Sequence, residues 1–134
     1  MTPKVWLATN RSKKATPSAA TKATLSAKAQ QLLDQDLIPR YVQTMPPDHD
    51  FNDVAALHSK WRGNSFYFGA TYHCPSPHAI APSFETKFAR MEYVSNDSYN
   101  LSYMRHTEKW FEIVFDLTMN ECLTEIKGNS IFTP

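Results

Sequence analysis

Leu25, Ala29, Leu32, Leu33, Leu37, Tyr41 and Met45 recur at intervals of three and four. That spacing lays an apolar stripe along a helix. Thr24 or Ser26 is suited to cap its start. Pro39 interrupts the stripe, so the helix either ends near Leu37 or restarts with Pro39 in a first turn, where a missing N–H costs nothing. Met45-Pro46-Pro47 ends it in either case, and 48–53 is a polar turn. The period then falls to two. Residues 55–62 form the weakest strand of the series, and Gly63-Asn64 is a hairpin turn because both residues tolerate positive φ. Ser65 to His73 alternates, with Phe66, Phe68, Ala70 and Tyr72 on one face. A proline-rich loop over 75–82 leads to a strand from Phe84 to Val94. There Ala89, Met91 and Tyr93 share one face, and Phe88 and Val94 take the other. Ser95 to Ser98 is a turn with Asx chemistry. Strands from Tyr99 to Arg105 and from Trp110 to Phe115 follow.

Thr118-Met119-Asn120-Glu121 has the form of a capping box, with Leu117 placed to staple onto Cys122. Leu123 and Ile126 extend the apolar face of the helix it opens. Gly128 is a natural left-handed stop. Ile131 and Phe132 are expected to tuck under the sheet. Connections this short join only antiparallel neighbours. The expectation is an α+β fold: an N-terminal helix, about five strands in an antiparallel meander, and a C-terminal helix packed on one sheet face. The other face stays open, as antiparallel sheets allow.

Charge divides the chain. Residues 1–28 contain Lys4, Arg11, Lys13, Lys14, Lys22 and Lys28 and no acid. The other eight Lys and Arg face thirteen Asp and Glu, so the net charge of +1 conceals a basic start and an acidic body. Residues 1–23, with Pro3, Pro17 and an aperiodic Thr/Ser/Ala/Lys mixture, are expected to be a disordered basic arm. Residues 24–134 are a single α+β domain. The acid-free start also has the composition of an organellar transit peptide, but no secretory leader is visible. No apolar run approaches the ~20 residues of a membrane helix. Cys74 and Cys122 lack the spacing of a disulfide framework. A cytoplasmic protein with no membrane association and no cofactor is the expectation.

Several segments carry a family resemblance. They are Trp61-Arg62-Gly63-Asn64-Ser65, Phe88-Ala89-Arg90-Met91-Glu92-Tyr93, the run from Tyr99 to Trp110, and the closing Ile131-Phe132. Together they resemble a bacterial family of small proteins known only as a domain of unknown function. The resemblance covers roughly residues 25 to 134. The chain departs from the pattern at Gly69-Ala70-Thr71-Tyr72, where the family has an acidic and an Arg-Pro position. It departs again before Trp110, where Glu108 or Lys109 stands in place of the family's glycine. The resemblance implies the helix–meander–helix fold and a bacterial origin, and it implies no activity.

Candidate chemistry is sparse. His73, Cys74 and His78 lie within six residues, with His58 and His106 as further donors. A structural zinc site usually shows a second paired cluster, which is absent here. Cys74 beside a histidine is the one possible thiolate pair. Glu85, Glu92 and Glu112 sit on neighbouring strands, where an outward face of paired charges is the simpler reading. No nucleophile or phosphate-loop motif is present, so a non-enzymatic role is expected. The favoured role is a binding or protein-interaction module, with Arg105, His106 and Trp110 on one hairpin and Trp61 and Arg62 on another as its surface. Its partner is an unknown protein, or a second copy joined through the sheet edges. The alternative partner is nucleic acid. The basic arm would neutralise phosphates, with Trp61, Arg62, Tyr67, Trp110 and Arg105 as contacts. A metal- or thiol-dependent function at Cys74 and His78 is the third reading.

Overall fold

The structure is a computed structural model and describes residues 15–42, 53–74, 81–104 and 109–134. Helix α1 runs over Ala19–Leu32. It starts earlier than the sequence pattern indicates, because Ser18, not Thr24 or Ser26, is the cap: its hydroxyl accepts from the Thr21 amide at 3.1 Å. Residues 19–23 therefore belong to the helix and not to the arm. The helix does not stop at Leu37. A π-helical turn over Leu33–Leu37 leads into a short helix α2, Ile38–Tyr41. The Ile38 amide bonds back to the Leu33 carbonyl, five residues earlier. That wide turn is one way to continue past Pro39, whose ring would crowd a regular α-helical carbonyl. Leu25, Ala29, Leu33 and Leu37, each four apart, are buried completely or nearly so.

Five described strands follow: β1 (Asp53–Arg62), β2 (Ser65–His73), β3 (Ser83–Ser95), β4 (Ser98–Met104) and β5 (Trp110–Leu117). They form one antiparallel meander in chain order, with β1 and β5 at the edges. Gly63 makes the β1–β2 turn with φ of 63°. Helix α3 (Met119–Gly128) closes the domain. Its capping box is complete: Thr118 Oγ1 accepts from the Glu121 amide at 3.1 Å, and the Glu121 carboxylate accepts from the Thr118 amide at 2.8 Å. The fold is α+β. None of the described helices is long and apolar enough to cross a membrane.

The core lies between the helices and one sheet face. Phe66, Phe68 and Ala70 of β2, Ala89, Met91 and Tyr93 of β3, and Tyr99 and Leu101 of β4 meet Cys122 and Ile126 of α3 there. Two sequence expectations fail at chain irregularities. Phe88 joins this core, with its ring 6.2 Å from that of Phe68. The ladder skips a register position between Phe68 and Gly69, and the resulting bulge turns Phe88 inward beside Ala89. Gly128 is not a left-handed stop: the chain leaves α3 through Asn129 in an extended conformation. The Asn129 side chain then accepts from the Ile131 amide at 3.1 Å. Phe132 is buried, but Ile131 is exposed.

The helices are tied to one another by polar contacts. Lys28 Nζ donates to Asn120 Oδ1 at 2.9 Å, and Arg40 donates to the Lys127 carbonyl at 2.8 Å. Arg40 also pairs with Asp36. Arg40 donates to the Tyr41 hydroxyl, and that bond, followed by one to Thr133, holds the Tyr41 pKa below its usual value.

Candidate functional site: the helix-free face of the sheet

Pairing fixes which side chains share the face away from the helices. Lys60 stands opposite Tyr67, Tyr67 opposite Arg90, Arg90 opposite Ser102, and Ser102 opposite Glu112. Paired residues in an antiparallel ladder point the same way, so these five form one row across the sheet. The adjoining row contains His58, Gly69 and Lys87. The bulge at Phe88 places Lys87 and Arg90 on the same face although three positions separate them.

Trp110 starts on the edge strand β5, and Tyr67 belongs to β2. Three strand spacings of ~4.8 Å separate those backbones, yet the rings approach to 5.8 Å between centroids, tilted by 56°. Both rings must therefore lean over the sheet. The Arg90 guanidinium lies 5.0 Å from the centre of the Trp110 ring, a cation–π contact. Arg90 also donates to the Ser102 hydroxyl at 3.3 Å. Ser102 is fully buried although it faces away from the core. A small side chain on β4 leaves the space through which Trp110 crosses. Lys87 Nζ lies 5.9 Å from the centre of the Tyr67 ring. Trp110 and Tyr67 are each half-buried, so part of each side chain stays accessible.

A small cavity of about 20 Å³ adjoins this cluster, beside His58, Tyr67, Glu85 and Lys87. His58 lies against Gly69, and its Nε2 is buried without a hydrogen-bond partner. A wider cleft of about 370 Å³ separates α1 from α3, lined by Lys28, Gln35, Asp36, Asn120 and Lys127. It holds no comparable ring or cation arrangement.

Of the sequence-derived surface residues, the structure describes Trp61, Arg62 and Trp110. Trp61 pairs with Phe66 and lies on the helix side of the sheet. Its ring meets Phe66 edge-on at 5.4 Å, its Nε1 donates to the Lys22 carbonyl at 3.1 Å, and Lys22 Nζ stands 5.6 Å above it. Trp61 is thus the latch between β1 and α1. Arg62 is exposed on the helix-free side, opposite Ser65. Arg105 and His106 lie outside the described residues. Trp110 and Trp61 occupy opposite faces of the sheet.

Of the metal and thiol candidates, His73 is exposed at the end of β2 and Cys74 is half-buried, its amide donating to the Pro82 carbonyl at 2.8 Å. His78 lies outside the described residues. Among the described residues no three His, Cys, Asp or Glu side chains are grouped to hold a metal ion. Cys122 sits in the core, where burial pushes its thiol pKa up to about 12.

The family described as Domain of unknown function (DUF3024) matches residues 25–134. The chain belongs to this family. No curated protein and no solved structure matches it. The DUF3024 match begins inside α1 and runs through the closing turn, so the whole sheet and both of its faces lie within it. Sequence reasoning placed Tyr67 and Trp110 among the candidate contacts but did not join them to Arg90, Lys87 and Ser102. Only the outward face of paired charges expected around Glu85, Glu92 and Glu112 hinted at that face.

Proposed function

We propose that this domain is a non-enzymatic binding module and that its ligand surface is the helix-free face of the sheet, which takes an anionic partner. The observation that carries the reading is the placement of Trp110, laid over Ser102 and Arg90 until it meets Tyr67. An aromatic ring of this size is normally sent to the core. Here it lies on the outer face with the Arg90 guanidinium against it, an arrangement that hydrophobic burial alone does not call for. Lys60 and Arg62 add exposed positive charge on the same face, while Glu85 and Glu92 lie on flanking rows and Glu112 at the far edge. The absence of a nucleophile or phosphate-loop motif in the sequence supports the non-enzymatic part.

Titration of the full chain with inorganic polyphosphate, followed by amide and indole proton–nitrogen spectra, tests this reading. Shifts are expected at Lys60, Tyr67, Lys87, Arg90 and the Trp110 indole. Shifts confined to α1 and α3, or no shifts at low salt, would overturn it.

A further inference from the structure

We infer that the anionic partner is a single-stranded nucleic acid, with bases stacked on the outer faces of Trp110 and Tyr67 and phosphates held by Lys60, Arg62 and Lys87. This rests on the helix-free face being the ligand surface and names what that surface takes. Two features of the geometry carry it. Each ring has a cation close to it, Arg90 at Trp110 and Lys87 at Tyr67. Both rings are half-buried, and the accessible part of an aromatic ring steadied by a neighbouring cation is a platform on which a base can stack. The cations beside the rings are spaced along the two central rows, so a chain that alternates flat rings with negative charges is complementary to both sets of groups at once.

Other anionic partners use only part of the surface. An acidic peptide would satisfy the lysines, but its carboxylates are repelled by the negative faces of the aromatic rings. Polyphosphate has no ring to stack. A duplex keeps its bases inside its own stack, so it cannot offer them to two rings tilted by 56°. The surface therefore favours single strands over duplex. The basic residues at 1–28 add charge of the same sign to the chain.

The test uses an oligothymidylate about a dozen nucleotides long, within the usual span of such sites. It is compared with an abasic phosphodiester of equal length, the matching duplex and polyglutamate, each titrated against the full chain by fluorescence anisotropy. The oligothymidylate is expected to bind about ten-fold or more tightly than the abasic chain. Trp110→Ala is expected to remove most of that difference, and Trp110→Phe to retain part of it. Lys60→Ala/Arg62→Ala, which leaves the cations beside both rings in place, is expected to weaken both ligands and make the salt dependence shallower by about 1.4 units of log–log slope. Equal binding of the oligothymidylate and the abasic chain would overturn the stacking inference and leave the anion-binding reading standing. Equal or tighter binding of polyglutamate, or of the duplex, would overturn it as well. Failure of every anion to bind would overturn both readings.

Discussion

Gly69 occupies a position with no room for a side chain. A Cβ there would stand 2.5 Å from His58 Cε1 and 2.9 Å from the Thr86 carbonyl oxygen. The imidazole can swing away, but the carbonyl belongs to the strand backbone and cannot. Gly69→Ala is therefore expected to destabilise the domain by about 1–3 kcal/mol, as overpacking usually does. Adding His58→Ala should recover only part of the loss, and urea denaturation midpoints of the single and double variants measure both. If the double variant recovers fully, the strand carbonyl is not the obstacle. His58 packs closely against the sheet because glycine stands opposite it. At the same scale, the alternation of residues 65–73 was legible in the sequence, but the contact between His58 and Gly69 was not. It needs the β1–β2 register, which runs unbroken from Arg62 opposite Ser65 to His58 opposite Gly69.

Helix α3 shows what an element can encode by itself. Thr118 and Glu121 satisfy each other's amides, and Asp97 in the β3–β4 turn accepts from the Met119 amide at 2.9 Å. Three of the amides that a helix start leaves open thus have side-chain partners. Thr118→Ala is expected to cost about 1 kcal/mol. Combining it with Glu121→Ala should cost less than the sum of the two single changes, because the two bonds are reciprocal. Thermal melts of the four proteins provide the cycle, and strict additivity would show that the box does not act as a unit. The box was readable because its residues are three apart in sequence. The Asp97 contribution was not, because 22 positions separate it from Met119. The mistaken stop at Gly128 has a similar origin. Glycine permits the left-handed conformation but does not impose it, and the Asn129 side chain offered the chain a different exit.

Across the whole molecule, one layer of buried groups links stability to pH. Burial, with nearby Asp97 as a lesser cause, pushes the Tyr99 hydroxyl up to about 12. Burial, reinforced by Glu121, does the same to the Cys122 thiol. For both groups the folded state holds its proton more tightly than the unfolded state, whose values are 10.0 and 9.0. Between those values and about 12 the folded protein therefore binds more protons than the unfolded chain, and stability falls as pH rises. Well below pH 9 these two groups contribute almost no slope. Urea midpoints from pH 8 to 11 are expected to decline, and the decline should be shallower in Tyr99→Phe. That variant should keep its stability at pH 7, because the Tyr99 hydroxyl is buried without a hydrogen-bond partner. A large loss at pH 7 would mean that the hydroxyl is engaged.

The sequence by itself determined the elements and their order. Helix and strand periods, a turn glycine and a capping box are local properties, fixed by residues within a few positions of each other. It also determined which stripe is core, because Phe66, Phe68, Met91, Tyr99 and Leu101 alternate with polar neighbours. Only the tertiary structure decided what the other face holds. Trp110, Arg90 and Tyr67 lie on three different strands, and they meet through ladder register, the bulge at Phe88 and the small size of Ser102. The same packing separated Trp61 from Trp110, which resemble each other in sequence as aromatic residues near hairpins. A shift of one residue in a strand exchanges its two faces. Long-range pairing, and not local pattern, therefore set the surface on which the proposed binding rests.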